Sequence, residues 1–146
     1  MIYGGLDERD KNIADIYFLD LRNNHWYKAE SQGQEPSLRD SQSCTQINNS
    51  CYIFGGQGEN DKLFNDLYVL NFDICESDKK FTSKWNIEDV QGKRPPARTS
   101  HSATAFRNQF LFIIGGEGYS NGNSSDSDIN LNLINKEAIS ESMYYF

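Results

Sequence analysis

Long apolar runs, cysteine pairs and basic clusters are all missing from this sequence. Its longest apolar stretches are five or six residues, far below the roughly 20 that a membrane-spanning helix needs. The net charge is -7 and the pI about 4.7. Because phosphate binding depends on clustered Lys and Arg, a nucleic-acid surface is not expected. The composition therefore predicts neither a nucleic-acid partner nor a membrane partner.

Cysteine is scarce and is not arranged in pairs. The three cysteines, Cys44, Cys51 and Cys75, form no C-x-x-C motif, and an odd count without metal-ligand spacing argues against both a disulfide framework and a zinc site. Met1 is not followed by a basic segment and a long apolar one, so no signal peptide is visible. We interpret the cysteines as reduced thiols and expect the chain in the cytoplasm or the nucleus.

Aromatic residues and a repeat are what the sequence does contain. Phe, Tyr and Trp make up 13% of the chain, which disfavours disorder although only 37% of the residues are apolar. Gly-Gly occurs three times, with separations of 51 and 60 residues, and each pair follows a short apolar run. Periodicity on this scale is typical of a repeat architecture.

The residues after each Gly-Gly pair continue in register. An Asp-led segment follows, reading D-I-Y-F-L-D, D-L-Y-V-L-N and D-I-N-L-N-L in the three units. In the first two units a Trp comes next, and an Arg stands 13 residues after each Trp, with Gly six and Pro three residues before it. Six landmarks recur in one order, which a chance match does not produce.

These units have the properties of β-structure. Their runs are short, rich in aromatic and β-branched residues, and bounded by Gly, Asn, Asp and Pro. The runs C-Y-I-F and F-L-F-I-I are continuously apolar, which predicts strands covered on both faces. Residues 48–50 and 107–109 are predicted hairpin turns, and the polar Trp-bearing strands, 84–88 and about 25–29, are predicted to lie outermost. Each unit is thus expected to be a four-stranded antiparallel sheet packed against copies of itself.

The order of landmarks resembles the kelch repeat, whose family fold is a β-propeller. The R-x-x-H-S-A segment from Arg98 adds to the match, whereas the first unit has Gln42 where the second has His101. The resemblance implies an all-β fold of kelch-type propeller blades that form an incomplete ring of about three blades. The positions that carry the motif are Gly4, Gly5, Tyr17, Trp26, Arg39, Gly55, Gly56, Tyr68, Trp85, Arg98, His101, Gly115 and Gly116.

The repeats divide residues 1–146 into one partial propeller. Blade 1 is predicted over 1–30, lacking its innermost strand, blade 2 over about 38–90, and blade 3 over about 98–146. Closed propellers use about 4–8 blades. We therefore favour a piece of a longer propeller, whose remaining blades complete it. The alternative is a six-bladed ring of two chains, which is less favoured because the missing first strand must also be replaced.

The histidines offer little support for catalysis. His101 has no nearby nucleophile or ligand at a catalytic spacing, so we expect that Arg98 and His101 hydrogen-bond backbone groups between blades. His25, beside a Trp, is expected at a turn or on the surface. No catalytic residue is predicted.

Two kinds of segment resemble ligand-binding motifs but lack a residue or a spacing that those motifs require. Asp126, Asp128, Asn130 and Glu137 imitate EF-hand calcium positions, but Leu131 stands where the loop requires glycine. The G-G-Q-G and G-G-E-G clusters lack the spacing of phosphate-binding loops. Neither a metal site nor a cofactor is therefore predicted.

The loops remain as candidates for binding. Because strand direction alternates, residues 6–13, 57–63 and 117–127 should share a face with 31–38 and 91–97, and function concentrates on such loops. Within them, 120–128 is a polar low-complexity insert that we expect to be a mobile loop. The candidate partner-binding residues are Asp7, Arg9, Asp10, Glu59, Asn60, Asp61, Lys62, Arg94, Glu117 and Tyr119.

The resemblance to kelch repeats also implies a function. It favours a non-enzymatic protein-protein interaction module or scaffold that presents its loops to another protein. The alternative is a regulatory kelch domain of a larger enzyme such as a serine/threonine phosphatase, since P-P-A-R-T-S-H-S-A resembles a segment of phosphatase-linked propellers.

Overall fold

The computed structural model describes residues 1–75, 80–119 and 132–135, and for residues 74, 75, 80 and 132–135 it describes the backbone alone. Over these residues the chain is built from β-strands, with a single 3-10 turn at Glu59–Asp61 and no α-helix. None of this described part is a helix long and apolar enough to cross a membrane. The all-β fold that the repeats predict is confirmed.

Blade 1 is a three-stranded antiparallel sheet in which Ile2 pairs with Tyr17 and Leu19 with Trp26. Side chains alternate across the sheet, so Ile16 and Phe18 are buried while their neighbours face the other way. Its strands are β1 (Ile2–Tyr3), β2 (Ile16–Asp20) and β3 (His25–Lys28).

Blade 2 is a five-stranded sheet with the order β4-β8-β7-β6-β5. Four strands are antiparallel, but β4, which follows blade 1 in the chain, pairs in parallel with β8 at the outer edge. The expectation that the Trp-bearing strand is outermost is therefore wrong for this blade, because β4 covers it and Trp85 is only 2% exposed. The strands are β4 (Glu30–Gly33), β5 (Ser43–Ile47), β6 (Ser50–Phe54), β7 (Leu67–Cys75) and β8 (Lys80–Ile87).

Blade 3 combines an antiparallel β10-β11-β13 sheet with a short β9-β12 pair. In β11, Leu111 and Ile113 are buried, whereas Ile114 is exposed. The prediction that F-L-F-I-I is covered on both faces is thus wrong, because only the side toward blade 2 has a neighbour among the described residues. The strands are β9 (Arg98–Thr99), β10 (Ser102–Phe106), β11 (Phe110–Ile114), β12 (Glu117–Gly118) and β13 (Asn132–Asn135).

Two apolar clusters join the blades in sequence. The first lies between blades 1 and 2 and holds Phe18, Leu70 and Trp85, and the second lies between blades 2 and 3 and holds Phe54 and Ile113. The described residues form successive blades and close no ring. The predicted turns at 48–50 and 107–109 connect β5 to β6 and β10 to β11.

The Gly-Gly pair is required by close backbone approach. Gly55 has φ +64, and a Cβ there would lie 2.7 Å from the carbonyl oxygen of Arg98 in blade 3. Gly56 has φ +96, and its Cβ would lie 2.7 Å from the carbonyl oxygen of Asp40 in its own blade. The first glycine therefore allows the close approach of the next blade, and the second allows the close approach of the segment that leads into the innermost strand of the same blade.

Candidate functional site

Arg39 links the end of strand β6 to the segment before strand β7 in blade 2. It is almost fully buried, and its guanidinium donates to the Gly55 carbonyl at 3.1 Å and to the Asp66 carboxylate from both terminal nitrogens. Its central carbon lies 3.8 Å from the centre of the Phe64 ring. This bidentate, stacked arrangement suits Arg and no other cation, so the residue is structural.

Arg98 and His101 form the joint between blades 2 and 3. The Arg98 main chain exchanges hydrogen bonds with Phe64 and Gly56 of blade 2, whereas its guanidinium donates to the Pro96 and Gly115 carbonyls of its own unit. Backbone bonding between the blades thus holds for the Arg98 main chain and not for its side chain. The His101 expectation is wrong, because its Nε2 lies 2.8 Å from the Ser43 hydroxyl and not from a backbone group. Burial and the nearby Arg98 charge lower the pKa of His101 to about 4, so the ring is neutral inside the joint.

The predicted loops are brought together on one face of the three blades. Asn12 of blade 1 donates to the Asp40 carboxylate of blade 2 at 2.7 Å. From blade 3, Tyr119 accepts a hydrogen bond from the Leu63 amide at 2.9 Å and donates to the Asp61 carbonyl at 3.3 Å. We call residues 6–13, 34–40, 57–63, 91–97 and 117–119 the loop face. Contacts across both joints make it one continuous surface.

The loop of blade 1 is ordered by the Asp7 carboxylate together with a backbone bond from the Asp7 amide to the Lys11 carbonyl at 2.9 Å. Oδ1 of Asp7 accepts hydrogen bonds from the amides of Arg9 and Lys11 at 2.8 and 2.9 Å. The carboxylate thus holds the turn between Leu6 and Asn12, which pair across it. The corresponding blade 2 loop closes through a Gly58 amide bond to the Lys62 carbonyl and the 3-10 turn.

Every predicted partner-binding residue lies on the loop face. Asp7, Arg9 and Asp10 are in the blade 1 loop, and Arg94 lies 3.3 Å from Asp89 before blade 3. The remaining candidates lie in the blade 2 loop and after β11: Glu59, Asn60, Asp61, Lys62, Glu117 and Tyr119. Their role in binding stays a prediction, as do the blade boundaries. Part of the predicted 31–38 loop belongs instead to β4.

Sequence reasoning selected Tyr119 but missed two other apolar residues of the loop face. Leu6 and Leu38 are about half exposed between the charged side chains, and Tyr119 is 63% exposed. Single leucines in polar loops carry no periodic signal, so no pattern could single them out. Their position beside charged residues gives the face the mixed character of protein-binding surfaces.

The opposite end carries an extended hairpin. Strands β7 and β8 project beyond the rest of blade 2, where Phe81 stacks on Phe18 of blade 1 at 5.2 Å. An open groove of about 370 Å³ runs beside the hairpin, with Gln32, Asp73 and Lys84 among its lining residues. The continued alternation of N-F-D-I after Leu70 was the sequence signal for this extension.

The described residues offer no grouping of His, Cys, Asp and Glu side chains that could hold a metal ion. Cys44 and Cys51 are free thiols, and hydrogen bonding to Cys51 raises the pKa of Cys44. His25 is exposed at the start of β3, as expected. The EF-hand-like residues and the 120–128 insert lie outside the described residues.

Comparison with known proteins identifies a family and several similar proteins. The KLHDC2/KLHL20/DRC7 Kelch-repeats domain family matches residues 1–137. The chain is 31% identical over 113 residues to Acyl-CoA-binding domain-containing protein 5 of Arabidopsis thaliana, covering 77% of this chain and 16% of that protein. It is 33% identical over 101 residues to Kelch domain-containing protein 2 of Bos taurus, covering 69% of this chain and 23% of that one.

Two further matches extend this result. Rab9 effector protein with kelch motifs of Bos taurus is 31% identical over 118 residues, which is 79% of this chain and 28% of that protein. The chain therefore spans less than a third of the length of these relatives. A chain in a cryo-EM structure of RAG in complex with one melted and one unmelted RSS has a TM-score of 0.55 at 17% identity, covering 70% of this chain and 33% of that one, which shows the fold alone. On the family match, the repeat landmarks and the blades together, this chain belongs to the kelch-repeat family.

Proposed function

We propose that the loop face binds another protein and that this chain acts as a non-enzymatic interaction module or scaffold. The observation that carries the proposal is the continuity of the loop face, whose three loops are held to one another by the Asn12–Asp40 and Tyr119–Leu63 hydrogen bonds. Loops fixed on a rigid scaffold lose little conformational entropy when a partner binds. The relatives with kelch repeats support an interaction role of this general kind.

Tyr119 is the anchor that this proposal favours. Its ring is 63% exposed, yet its hydroxyl is held by Leu63 and Asp61 of the neighbouring blade, so it is both accessible and ordered. Rigid aromatic residues of this type dominate the energetics of many interfaces. Leu38, which is about half exposed, adds apolar area to the loop face.

A binding role also agrees with the position of the buried histidine. The His101 ring is directed into the joint toward Ser43, where a substrate on the loop face does not meet it. The surrounding surface carries both signs of charge, with acids such as Asp7 and Glu59 beside Lys62 and Arg94. A protein segment with both charged and apolar side chains suits this surface. A cytoplasmic or nuclear location stays part of the proposal.

A displayed random-peptide library panned on the purified chain tests the proposal. Selected peptides should lose about tenfold in affinity with Tyr119→Ser, which corresponds to about 1.4 kcal/mol, and less with Tyr119→Phe, which keeps the ring. Leu21→Ser is the matched control, because Leu21 is exposed at a turn between β2 and β3, away from the loop face. Failure to select any peptide, or peptides indifferent to Tyr119→Ser and Leu38→Ser, would contradict a binding loop face.

A further inference from the structure

Three sulfur atoms meet at the joint between blades 1 and 2. Cys44 of β5 and Cys51 of β6 are diagonal neighbours on one face of blade 2, because Cys44 pairs with Ile53 and Cys51 pairs with Gln46. Their thiols are close enough to hydrogen-bond to each other. Sγ of Cys51 also lies 3.9 Å from Sδ of Met1, the residue before β1 of blade 1. We call Met1, Cys44 and Cys51 the sulfur cluster.

The joint between blades 2 and 3 has residues without sulfur at the corresponding positions. These positions follow from the registers of β5 with β6 and β10 with β11, and from the distance to each Gly-Gly pair. The counterparts are Tyr52 for Met1, Ala103 for Cys44 and Leu111 for Cys51. Tyr52 and Leu111 are buried in one apolar cluster, and Ala103 packs against it. Packing at these positions therefore requires no sulfur.

The spacing of the sulfur cluster matches that of ligands around a soft metal ion. Three sulfur atoms arranged in a triangle at about 2.3 Å from one ion lie about 4 Å from one another. The 3.9 Å between the sulfurs of Cys51 and Met1 agrees with that spacing. A thioether beside thiolates favours Cu(I) over hard ions such as Mg²⁺ and Ca²⁺. Zn²⁺ prefers a tetrahedron of four ligands, and within the described chain no His, Asp or Glu joins the two cysteines as a further ligand.

The surroundings of the two thiols also suit a singly charged ion. The hydrogen bond from the Cys44 thiol raises the pKa of Cys44 and lowers the pKa of Cys51, so Cys51 becomes a thiolate first. Cys51 belongs to the apolar cluster that also holds Ile53 and Leu70. An apolar surrounding of this kind favours Cu(I), because a single charge costs less to desolvate than a double one.

We propose that Met1, Cys44 and Cys51 bind one Cu(I) ion, which joins blade 1 to blade 2. Each cysteine releases one proton to the solvent on binding, and the ion keeps its oxidation state, so the step needs no electron acceptor. All three ligands are side-chain atoms of one joint within the chain, so further blades on either side would not remove them.

The test is a titration of the reduced chain with Cu(I) in the absence of oxygen, with bicinchoninate as the competing chelator. We expect one tightly bound Cu(I) per chain, together with ultraviolet thiolate-to-copper absorption. Because the ion binds the folded joint, the urea midpoint of unfolding should rise as Cu(I) is added. Zn²⁺ in the same titration should bind more weakly, since it finds only three of the four ligands that it prefers.

The cysteines allow a matched pair of variants. Cys44→Ala copies the residue of blade 3 and should weaken Cu(I) binding at least about a hundredfold, since even groups that only support metal ligands change affinity 10–100-fold. Cys75→Ala also removes one thiol, but at the far end of β7, and should bind Cu(I) as the unaltered chain does. Without copper, both variants should keep nearly the urea midpoint of the unaltered chain.

The thioether is tested by norleucine, which keeps the shape of methionine without its sulfur. The sequence contains a second methionine, Met143, so the replacement is made in a Met143→Leu chain and removes only the sulfur of Met1. Affinity for Cu(I) should fall about tenfold, less than for Cys44→Ala, because the uncharged thioether is the weakest of the three ligands. The Met143→Leu chain with ordinary methionine is the control.

Four results would overturn the proposal. The unaltered chain would exclude the site by binding Cu(I) no more tightly than Cys44→Ala does. An equal loss in Cys75→Ala would place the copper elsewhere. Norleucine without effect would exclude the three-sulfur site, because two cysteines alone would then hold the ion. Binding of Zn²⁺ as tight as that of Cu(I) would contradict the choice of metal. None of these results bears on peptide binding by the loop face, so the two proposals fail separately.

Discussion

Blades 1 and 2 carry the same Ile, Tyr, Leu and Trp residues at the same register positions, but only those of blade 2 are buried. Trp85 is 2% exposed, while Trp26, its counterpart, is 47% exposed. The sheets themselves are alike, so the difference comes from what lies beside each one. Blade 2 is covered by blade 1 on its flank and by β4 at its outer edge. How much a kelch motif residue contributes to folding stability thus depends on whether a neighbouring blade covers it.

The largest expected effect separates the two tryptophans. Trp85→Ala should lower the free energy of unfolding by about 4 kcal/mol, because it removes a buried ring from a packed cluster. Trp26→Ala should cost less than about 1 kcal/mol, because half of the ring is already in water. Urea unfolding measures both losses. Equal losses would show that the side of blade 1 that carries Trp26 is covered as well.

Strand β4 is the second reason why Trp85 is more buried than Trp26. Substitutions at two glycines test its contribution. A Cβ on Gly33 would lie 2.4 Å from the Trp85 carbonyl oxygen, whereas one on Gly92, at the equivalent position, meets no described atom within 4 Å. Both have positive φ, of +91 and +88, so both alanine variants pay a conformational cost of about 1 kcal/mol.

Gly33→Ala should therefore cost about 2–3 kcal/mol in total, because the clash with the β8 backbone is added. Hydrogen exchange should report faster exchange of the β4 amides that are bonded to β8, as β4 leaves the sheet. Gly92→Ala is the matched control. Similar stability losses for the two variants would mean that β4 contributes little to the covering of blade 2.

Much of the fold follows from the sequence because its signals are local. Alternating apolar residues, the turns at 48–50 and 107–109, and the Gly-Gly pairs each reflect the conformation of a few neighbouring residues. The polar segment E-S-Q-G carries no strand signal, and it becomes β4 only because the edge of β8 lies beside it. Its pairing is therefore a tertiary effect that residue pattern alone could not reveal.

The candidate site, like the fold, could be predicted from the sequence only in part. Alternating strand direction predicted that the loops share one face. In the structure, hydrogen bonds join loops of neighbouring blades on that face. The bonds from Tyr119 to Leu63 and from Arg39 to Asp66 join residues 56 and 27 positions apart, and no spacing rule predicts such partners. The recurrence of Arg and Asp in successive units was the only available signal for the second pair.

The two joints differ in a way that pH should expose. At one inner position blade 2 has Gln42 and blade 3 has His101, whose pKa is lowered to about 4 by burial and by Arg98. An unfolded histidine has a pKa of about 6.5 and takes up a proton more readily than the folded one. Stability from this group is therefore fully present above about pH 6.5 and is lost as pH falls toward 4.

His101→Gln, which copies blade 2, should remove that part of the pH dependence. Between about pH 7 and about pH 4, the free energy of unfolding of the unaltered chain should fall by on the order of 2 kcal/mol more than that of the variant. Urea midpoints across this range measure it, with His25→Gln as the control because His25 is exposed. Parallel pH profiles for the unaltered chain and His101→Gln would show that the joint opens to water.

The smallest expected effect concerns the loop face, where both blade loops close through a backbone bond and the blade 1 loop adds two bonds to the Asp7 carboxylate. Asp7→Ala removes the acceptor of two amide hydrogen bonds at 2.8 and 2.9 Å and should cost about 1 kcal/mol. Asp7→Asn keeps an acceptor oxygen at the same place and should cost less than half as much. Because Asp7 holds the loop that carries Arg9 and Asp10, Asp7→Ala should also weaken selected peptides that contact blade 1, while Asp7→Asn leaves them nearly unchanged. Weakening of equal size by both variants would mean that the carboxylate charge, and not the order of the loop, is what the peptide recognises.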